Sequence, residues 1–147
     1  MDTKPVIVGV DGSPDSLRAL RWAQEHARRY EAPLHAVAVY DVPTVYGGPY
    51  AMAALPDVEA LEQQARTGLA ESVREALGED AQVTQVVERG HPAKVLVAAS
   101  EGAEIMVVGS RGRGGFVGLM LGSVSQYCVT HARCPVVVLP HEGDEGE

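Results

Sequence analysis

The residues best suited to chemistry lie in a glycine-rich stretch, Gly109–Gly118, which is followed by Gly122 and Ser123. Glycine lets the backbone approach a ligand closely, and successive amide N–H groups in such a loop can surround an anion. Arg111 and Arg113 add forked cationic donors that suit phosphate oxygens. We expect Ser123 to cap the following helix, whose first N–H groups also attract anions. The stretch therefore predicts a site for the phosphates of a nucleotide.

Two common phosphate-binding motifs do not fit this stretch. A Walker A loop needs a lysine after its second glycine, whereas Gly114 is followed by Gly115 and Phe116. The dinucleotide fingerprint GxGxxG starts at Gly112, but its last glycine is replaced by Val117. That fingerprint also belongs after a first strand. P-loop hydrolases and nicotinamide enzymes are therefore disfavoured.

Strand-like and helix-like segments alternate along the chain. Apolar, β-branched runs predict strands, and apolar residues at helical spacing predict helices. The predicted strands are 5–10, 34–40, 81–88, 104–108 and 135–139, and the predicted helices are 14–31, 57–77, 92–100 and 123–132. Continuous apolar strands are typical of parallel sheets that are covered by helices on both faces. The pattern predicts a single α/β domain with a five-stranded, mostly parallel, Rossmann-like sheet.

Ligands of such sheets bind beyond the carboxyl ends of the strands, where the strand order reverses. The turn from Asp11 to Ser13, the chain after Tyr40 and the stretch from Gly109 all follow predicted strands. Asp11 is therefore a candidate ligand, although an Asx turn alone would also explain it. The glycines could likewise form a turn without a ligand, and Arg113 could be a solvated surface charge.

The segment 41–56 is rich in proline and glycine and has no clear periodicity. Such a segment indicates a lid, a binding loop or a disordered insert. Its residues Tyr46 and Tyr50 could cover a base or a partner surface. Trp22 lies within the first predicted helix, so we expect it to pack rather than to stack on a ligand.

Composition and charge exclude several classes of protein. The chain has 147 residues, 46% of them hydrophobic, which suits one domain with a full core. No apolar run is long enough for a membrane span, and the first residues lack the profile of a secretory signal, so we expect a cytoplasmic protein. A formal charge of −8 without a basic stripe argues against nucleic acid as the ligand. The acidic residues 141–147 predict a disordered tail after a domain at 1–140. Cys128 and Cys134 are not spaced as a CxxC pair, so we expect buried or half-buried free thiols.

The spacing Gly109-x2-Gly112-x9-Gly122-Ser123 resembles the ATP-binding pattern of the universal stress protein family. The resemblance extends over VIVGVDGSPDSLRALRWA near the start, and over ERGHPAKVLVAASEGAEIMVVGSRGRGG and GSVSQYCVTHARCPVVVLP in the second half. It covers nearly the whole chain except 41–56 and the tail. It implies an adenine nucleotide alpha hydrolase-like fold.

The resemblance also implies a role for each matching residue. Asp11 would contact the nucleoside and the backbone of Val39 the adenine, while the glycine loop and the helix start would hold ribose and phosphates. The expected nucleotide-binding residues are Gly9, Asp11, Val39, Gly109, Arg111, Gly112, Arg113, Gly114, Gly115, Gly122, Ser123, Val124 and Ser125. ATP would bring Mg²⁺ held mainly by its phosphates, and the 5 scattered histidines predict no metal site of the protein itself.

Three functions remain open. A nucleotide-dependent stress or regulatory protein would change its conformation or assembly with ATP, and an unidentified protein partner would recognise that state. A slow ATP hydrolase or phosphotransferase would need a base, and Asp11 is the only candidate near the loop. A nucleotide-free interaction module would not need the glycine pattern, so the resemblance favours the first function.

The apolar last strand, 135–139, is short and late in the chain, so we expect it at a sheet edge. Such an edge can pair with a second copy. The resemblance implies a homodimer through this strand.

Overall fold

The computed structural model describes residues 3–42, 57–111 and 121–141. In these ranges strands and helices alternate from β1 to β5. The elements are β1 Val6–Gly9, α1 Pro14–Arg29, β2 Leu34–Tyr40, α2 Val58–Leu77, β3 Thr84–Arg89, α3 Pro92–Ser100, β4 Ile105–Gly109, α4 Ser123–His131 and β5 Val136–Leu139. The predictions for Tyr46, Tyr50 and the tail beyond His141 lie outside the described residues.

The strands form one parallel sheet in the order β3-β2-β1-β4-β5. This confirms the predicted α/β fold, and β5 lies at a sheet edge as expected. The chain builds outward from β1 to β2 and β3, and then returns to add β4 and β5 on the other side. The strand order therefore reverses between β1 and β4, which is where such sheets bind ligands.

Two apolar layers hold the helices against the sheet. On one face, Val6, Val8 and Val107 pack against buried side chains of α1 and α2. On the other face, Ile7 and Met106 pack with buried residues of α3 and α4. Both faces of the central strands are covered, which explains why these strands are continuous apolar runs rather than alternating ones.

The start of α1 follows from its sequence. Ser13 is the N-cap, its Oγ accepts the N–H of Ser16 at 3.2 Å, and Pro14 occupies the first helical position as predicted. The helix ends at Arg29, earlier than the predicted residue 31. Tyr30 continues the helical spacing of Ala23 and Ala27 in the sequence, but the backbone leaves the helix at this residue, so its side chain departs from the apolar stripe and is 65% exposed.

The third strand begins at Thr84 rather than at residue 81. Its ladder with β2 starts at the pair His35 and Thr84, so residues 81–83 have no partner in β2 that would extend the strand. Within the described parts of the chain, no helix is both long and apolar enough to cross a bilayer.

Candidate functional site

A pocket of about 330 Å³ lies at the carboxyl ends of β1, β2 and β4, at the point where the strand order reverses. This volume is within the range of small-molecule sites, roughly 300–1,000 Å³. Every predicted site residue that the structure describes lines this pocket: Gly9, Asp11, Val39, Gly109, Arg111, Gly122, Ser123, Val124 and Ser125. The other four, Gly112, Arg113, Gly114 and Gly115, lie outside the described residues.

One wall of the pocket is apolar and was not predicted from the sequence. It is formed by Val37 of β2, Leu96 of α3 and Val108 of β4, each at most 4% exposed, together with Pro92. Val37 precedes the predicted Val39 by two residues, so strand periodicity places both on the same face of β2. That spacing was the signal from which Val37 could have been found.

Another part of the pocket lining is polar. Asp11 is exposed, and its Oδ1 accepts the N–H of Ser13 at 2.9 Å, which is the Asx turn considered from the sequence. The buried Ser13 and Ser16 also line the pocket and were missed. The Asx turn leaves Asp11 in the lining of the pocket, so the turn is compatible with a contact between Asp11 and a ligand.

The first turn of α4 forms the third side, and it corrects one prediction. Gly122, not Ser123, is the N-cap, and no side chain caps this helix. The reason is that the extended Gly122 already supplies the carbonyl that accepts the first helical bond, from Gln126 N–H at 3.0 Å. Ser123 and Val124 are therefore inside the first turn, where backbone N–H groups have no helical partner. These groups border the pocket.

Hydrogen bonds fix this turn to the end of β4. The Gly122 N–H donates to the carbonyl oxygen of Ser110 at 2.6 Å. The Ser125 Oγ donates to the same oxygen at 2.9 Å and lies 3.1 Å from the carbonyl oxygen of Gly122. Ser125 is 3% exposed, so its hydroxyl is engaged in this anchor. Its role in the structure is thus to orient the helix start.

The two cysteines lie on the face of the sheet that carries α3 and α4. Both are free thiols, Cys128 buried and Cys134 partly buried, as expected. Burial raises the pKa of the Cys128 thiol from 9.0 to about 11, and burial also raises the pKa of Cys134. Neither thiol lines the pocket. Across the described ranges, no group of three or more His, Cys, Asp or Glu side chains could hold a metal ion.

Comparison with known proteins gives concordant results at the sequence and fold levels. The profile of the universal stress protein family matches residues 2–140. A universal stress protein of Mycobacterium tuberculosis is 41% identical over 139 residues, an alignment covering 91% of this chain and 44% of that protein. This chain thus spans less than half the length of that relative.

Solved structures share the fold. The universal stress protein UspA from Lactobacillus plantarum superposes with a TM-score of 0.78 at 23% identity, covering 95% of this chain and 99% of that one. The universal stress protein from Archaeoglobus fulgidus in complex with dAMP superposes with a TM-score of 0.63 at 24% identity, covering 94% and 98%. On the family profile and the sequence identity to its relatives, the chain belongs to the universal stress protein family.

Proposed function

We propose that this chain binds ATP and acts as a nucleotide-dependent stress or regulatory protein. One observation carries the proposal: residues predicted from a phosphate-binding pattern converge, together with an apolar wall and a helix N-terminus, on one pocket at the reversal of the strand order. The Archaeoglobus fulgidus relative in complex with dAMP supports an adenine nucleotide as the ligand.

The pocket offers complementary surfaces to the two ends of such a ligand. The apolar wall of Val37, Leu96 and Val108 suits the faces of a purine, because burial of apolar ligand surface stabilises the complex. The N–H groups of the first turn of α4, which have no partner within the helix, and the cation of Arg111 suit phosphate oxygens. We therefore place the base against this wall, with Asp11 at the nucleoside and the phosphates at α4.

Mg²⁺ would accompany ATP and be held mainly by the phosphates. The residues present fit this arrangement. Among the described residues that line the pocket, Asp11 is the only carboxylate, so the protein does not supply a set of metal ligands of its own there. The ion would neutralise part of the triphosphate charge. The chain's own contribution is to bind and orient the nucleotide.

Substitution of Gly122 tests the placement of the phosphates. Gly122 has φ −74° and ψ 171°, an extended conformation that valine also adopts. Gly122→Val should therefore fold but place a branched side chain between α4 and the phosphates, and calorimetric titration should detect no ATP binding. Gly102→Ala, at a turn where an added methyl group meets no atom within 4 Å, is the control. An unchanged ATP affinity in Gly122→Val would show that the phosphates lie elsewhere.

Arg111 separates phosphate recognition from base recognition. Arg111→Ala should weaken ATP binding about tenfold, the size expected for one charge-assisted hydrogen bond, while adenosine binding should change little. The measurement is the pair of dissociation constants for each protein. Equal losses for ATP and adenosine would mean that Arg111 does not contact phosphate.

The homodimer is part of the proposal and rests on β5. This edge strand is half-buried along Val136–Leu139, and only one side of it pairs with β4. An apolar edge with unpaired backbone groups favours pairing with a second copy. Sedimentation at micromolar concentration should give twice the chain mass of 15.6 kDa. A monomer at that concentration would contradict this part.

A further inference from the structure

The carboxylate of Asp15 joins three separate parts of the chain beside the pocket. Asp15 lies in the first turn of α1 and is 4% exposed. Its Oδ2 accepts the backbone N–H of Arg111, just after β4, at 3.3 Å. Both of its oxygens lie 3.0–3.1 Å from Nδ1 of His141, which follows β5. A single buried side chain thus connects a helix start, the start of the glycine-rich loop and the end of the sheet.

Asp15 also packs closely against Gly109 at the end of β4. A methyl group on Gly109 would lie 2.7 Å from the Asp15 Cβ and about as close to its backbone, at 3.0 and 3.1 Å. Gly109 therefore lets β4 end directly against the first turn of α1. The close packing on Asp15 positions Gly109, and the hydrogen bond to the Asp15 carboxylate positions the backbone of Arg111.

Among the described residues, the groups shown in contact with the Asp15 carboxylate are hydrogen-bond donors. Arg18, one turn along α1, reaches Oδ1 with Nη1 at 3.4 Å. A carboxylate only accepts hydrogen bonds, so His141 Nδ1 must carry the hydrogen in its contact. The buried Asp15 side chain is 6% exposed and His141 32% exposed. His141 is therefore the solvent-facing member that holds the carboxylate in place.

We infer that Asp15 is a positioning residue of the nucleotide site and that His141 couples the C-terminal end of the chain to that site. This inference rests on the proposed function. Asp15 fixes the backbone of Arg111 at the phosphate end of the pocket, and His141 fixes Asp15. By linkage, a contact that strengthens nucleotide binding is itself strengthened by the nucleotide.

The first experiment compares Asp15→Ala with Glu25→Ala. Alanine keeps the Cβ that packs on Gly109 and removes the carboxylate, while Glu25 is an exposed acid on the same helix that pairs with the surface residues Arg28 and Arg29. We expect ATP to bind Asp15→Ala about tenfold more weakly and adenosine to change by less than about threefold. Glu25→Ala should bind both as the wild type does. Asp15→Asn, which retains an oxygen acceptor for Arg111 N–H, should recover part of the loss and serves if Asp15→Ala does not fold.

Hydrogen exchange gives a measurement without nucleotide. The Arg111 amide should exchange about tenfold faster in Asp15→Ala than in Glu25→Ala, because its acceptor is gone. Unchanged exchange would overturn the positioning role, whether or not the protein binds ATP. If the wild type binds no ATP but the exchange increases, the proposed function fails and Asp15 is only a structural anchor.

The coupling to the chain end is tested by the NMR signal of the His141 ring, assigned by its loss in His141→Ala. Addition of Mg-ATP should shift this signal in the wild type and leave it unchanged in Asp15→Ala. His141→Ala should weaken ATP severalfold, whereas His131→Ala, which removes an exposed histidine at the end of α4, should not. ATP binding to the wild type without a change in the His141 signal would overturn the coupling.

Discussion

Gly109→Ala should destabilise the fold, because β4 ends in direct contact with α1. The added Cβ would lie 2.7 Å from the Cβ of Asp15 and 3.0 and 3.1 Å from its backbone C and O atoms. Carbon atoms in favourable contact are about 3.5–4.0 Å apart. The clash is largely with backbone, so a change of rotamer cannot relieve it, and the strand end and the helix must separate by close to 1 Å.

Overpacking of this kind costs about 1–3 kcal/mol. For a domain of this size, each kcal/mol lowers the melting temperature by about 3 °C, so the expected decrease is about 3–9 °C. Gly9→Ala should cost less, because its Cβ would meet the end of the Leu96 side chain at 2.9 Å, and that side chain can move. Gly102→Ala, with nothing within 4 Å, should leave stability unchanged or raise it slightly.

The assay is urea unfolding and thermal melting of the three variants beside the wild type. The expected order of stability is Gly102→Ala, then Gly9→Ala, then Gly109→Ala. If Gly109→Ala melts with Gly102→Ala, then β4 and α1 do not approach as closely as described. In that case packing against Gly109 would not help Asp15 to position the pocket residues.

Four further predictions concern α2 and the thiols. Gly68→Ala, inside α2 where a methyl group meets nothing within 4 Å, should raise the free energy of unfolding by about 1 kcal/mol, seen as a higher urea midpoint. Asp57→Ala removes the N-cap that accepts Ala60 N–H at 3.2 Å and should lower it by about 1 kcal/mol; an unchanged midpoint would mean that this cap is frayed in solution. Iodoacetamide should modify Cys134 before the buried Cys128, as mass spectrometry would show. Since burial raises the pKa of Cys128 from 9.0 to about 11, the unfolded chain loses this proton first, and stability should fall between those pH values. Cys128→Ala should reduce that decline.

The fold was predictable because local and long-range signals agree. Ser13 and Pro14 start α1 where the apolar run of β1 stops, and Gly78 ends α2 with φ 90°, a conformation that favours glycine. The strands are apolar throughout because helices cover both faces of the sheet. The ends of elements were less certain, as at Tyr30, where helical periodicity continues past the point at which the backbone turns away.

The polar rim of the pocket was predictable in part, because Asp11, Gly109 and Gly122 stand directly after strands or before a helix. The apolar wall was predictable only at Val37, which shares its strand face with the predicted Val39, since Leu96 and Val108 look like ordinary core residues in the sequence. Asp15 was missed for a different reason. Its partners Arg111 and His141 are 96 and 126 residues away, and only the sheet order brings them together.

Ser123 shows the limit of a local rule. Serine is a preferred N-cap, and the sequence offers it directly after a glycine. The helix nevertheless starts with Gly122 as its cap, since the hydrogen bond of Gly122 N–H to Ser110 fixes that residue in an extended conformation. A long-range contact therefore decides where α4 begins.

Binding of ATP in the pocket is tested most directly by the nucleotide content of the purified protein. Protein prepared without added nucleotide is denatured, the supernatant is chromatographed, and stripped protein is then melted with Mg-ATP or NAD. We expect released adenine nucleotide, and a stabilisation by Mg-ATP of about 2.7 kcal/mol at 100 times the dissociation constant that NAD does not produce. No released nucleotide and no shift with ATP would refute nucleotide binding and would favour an interaction module that binds no nucleotide.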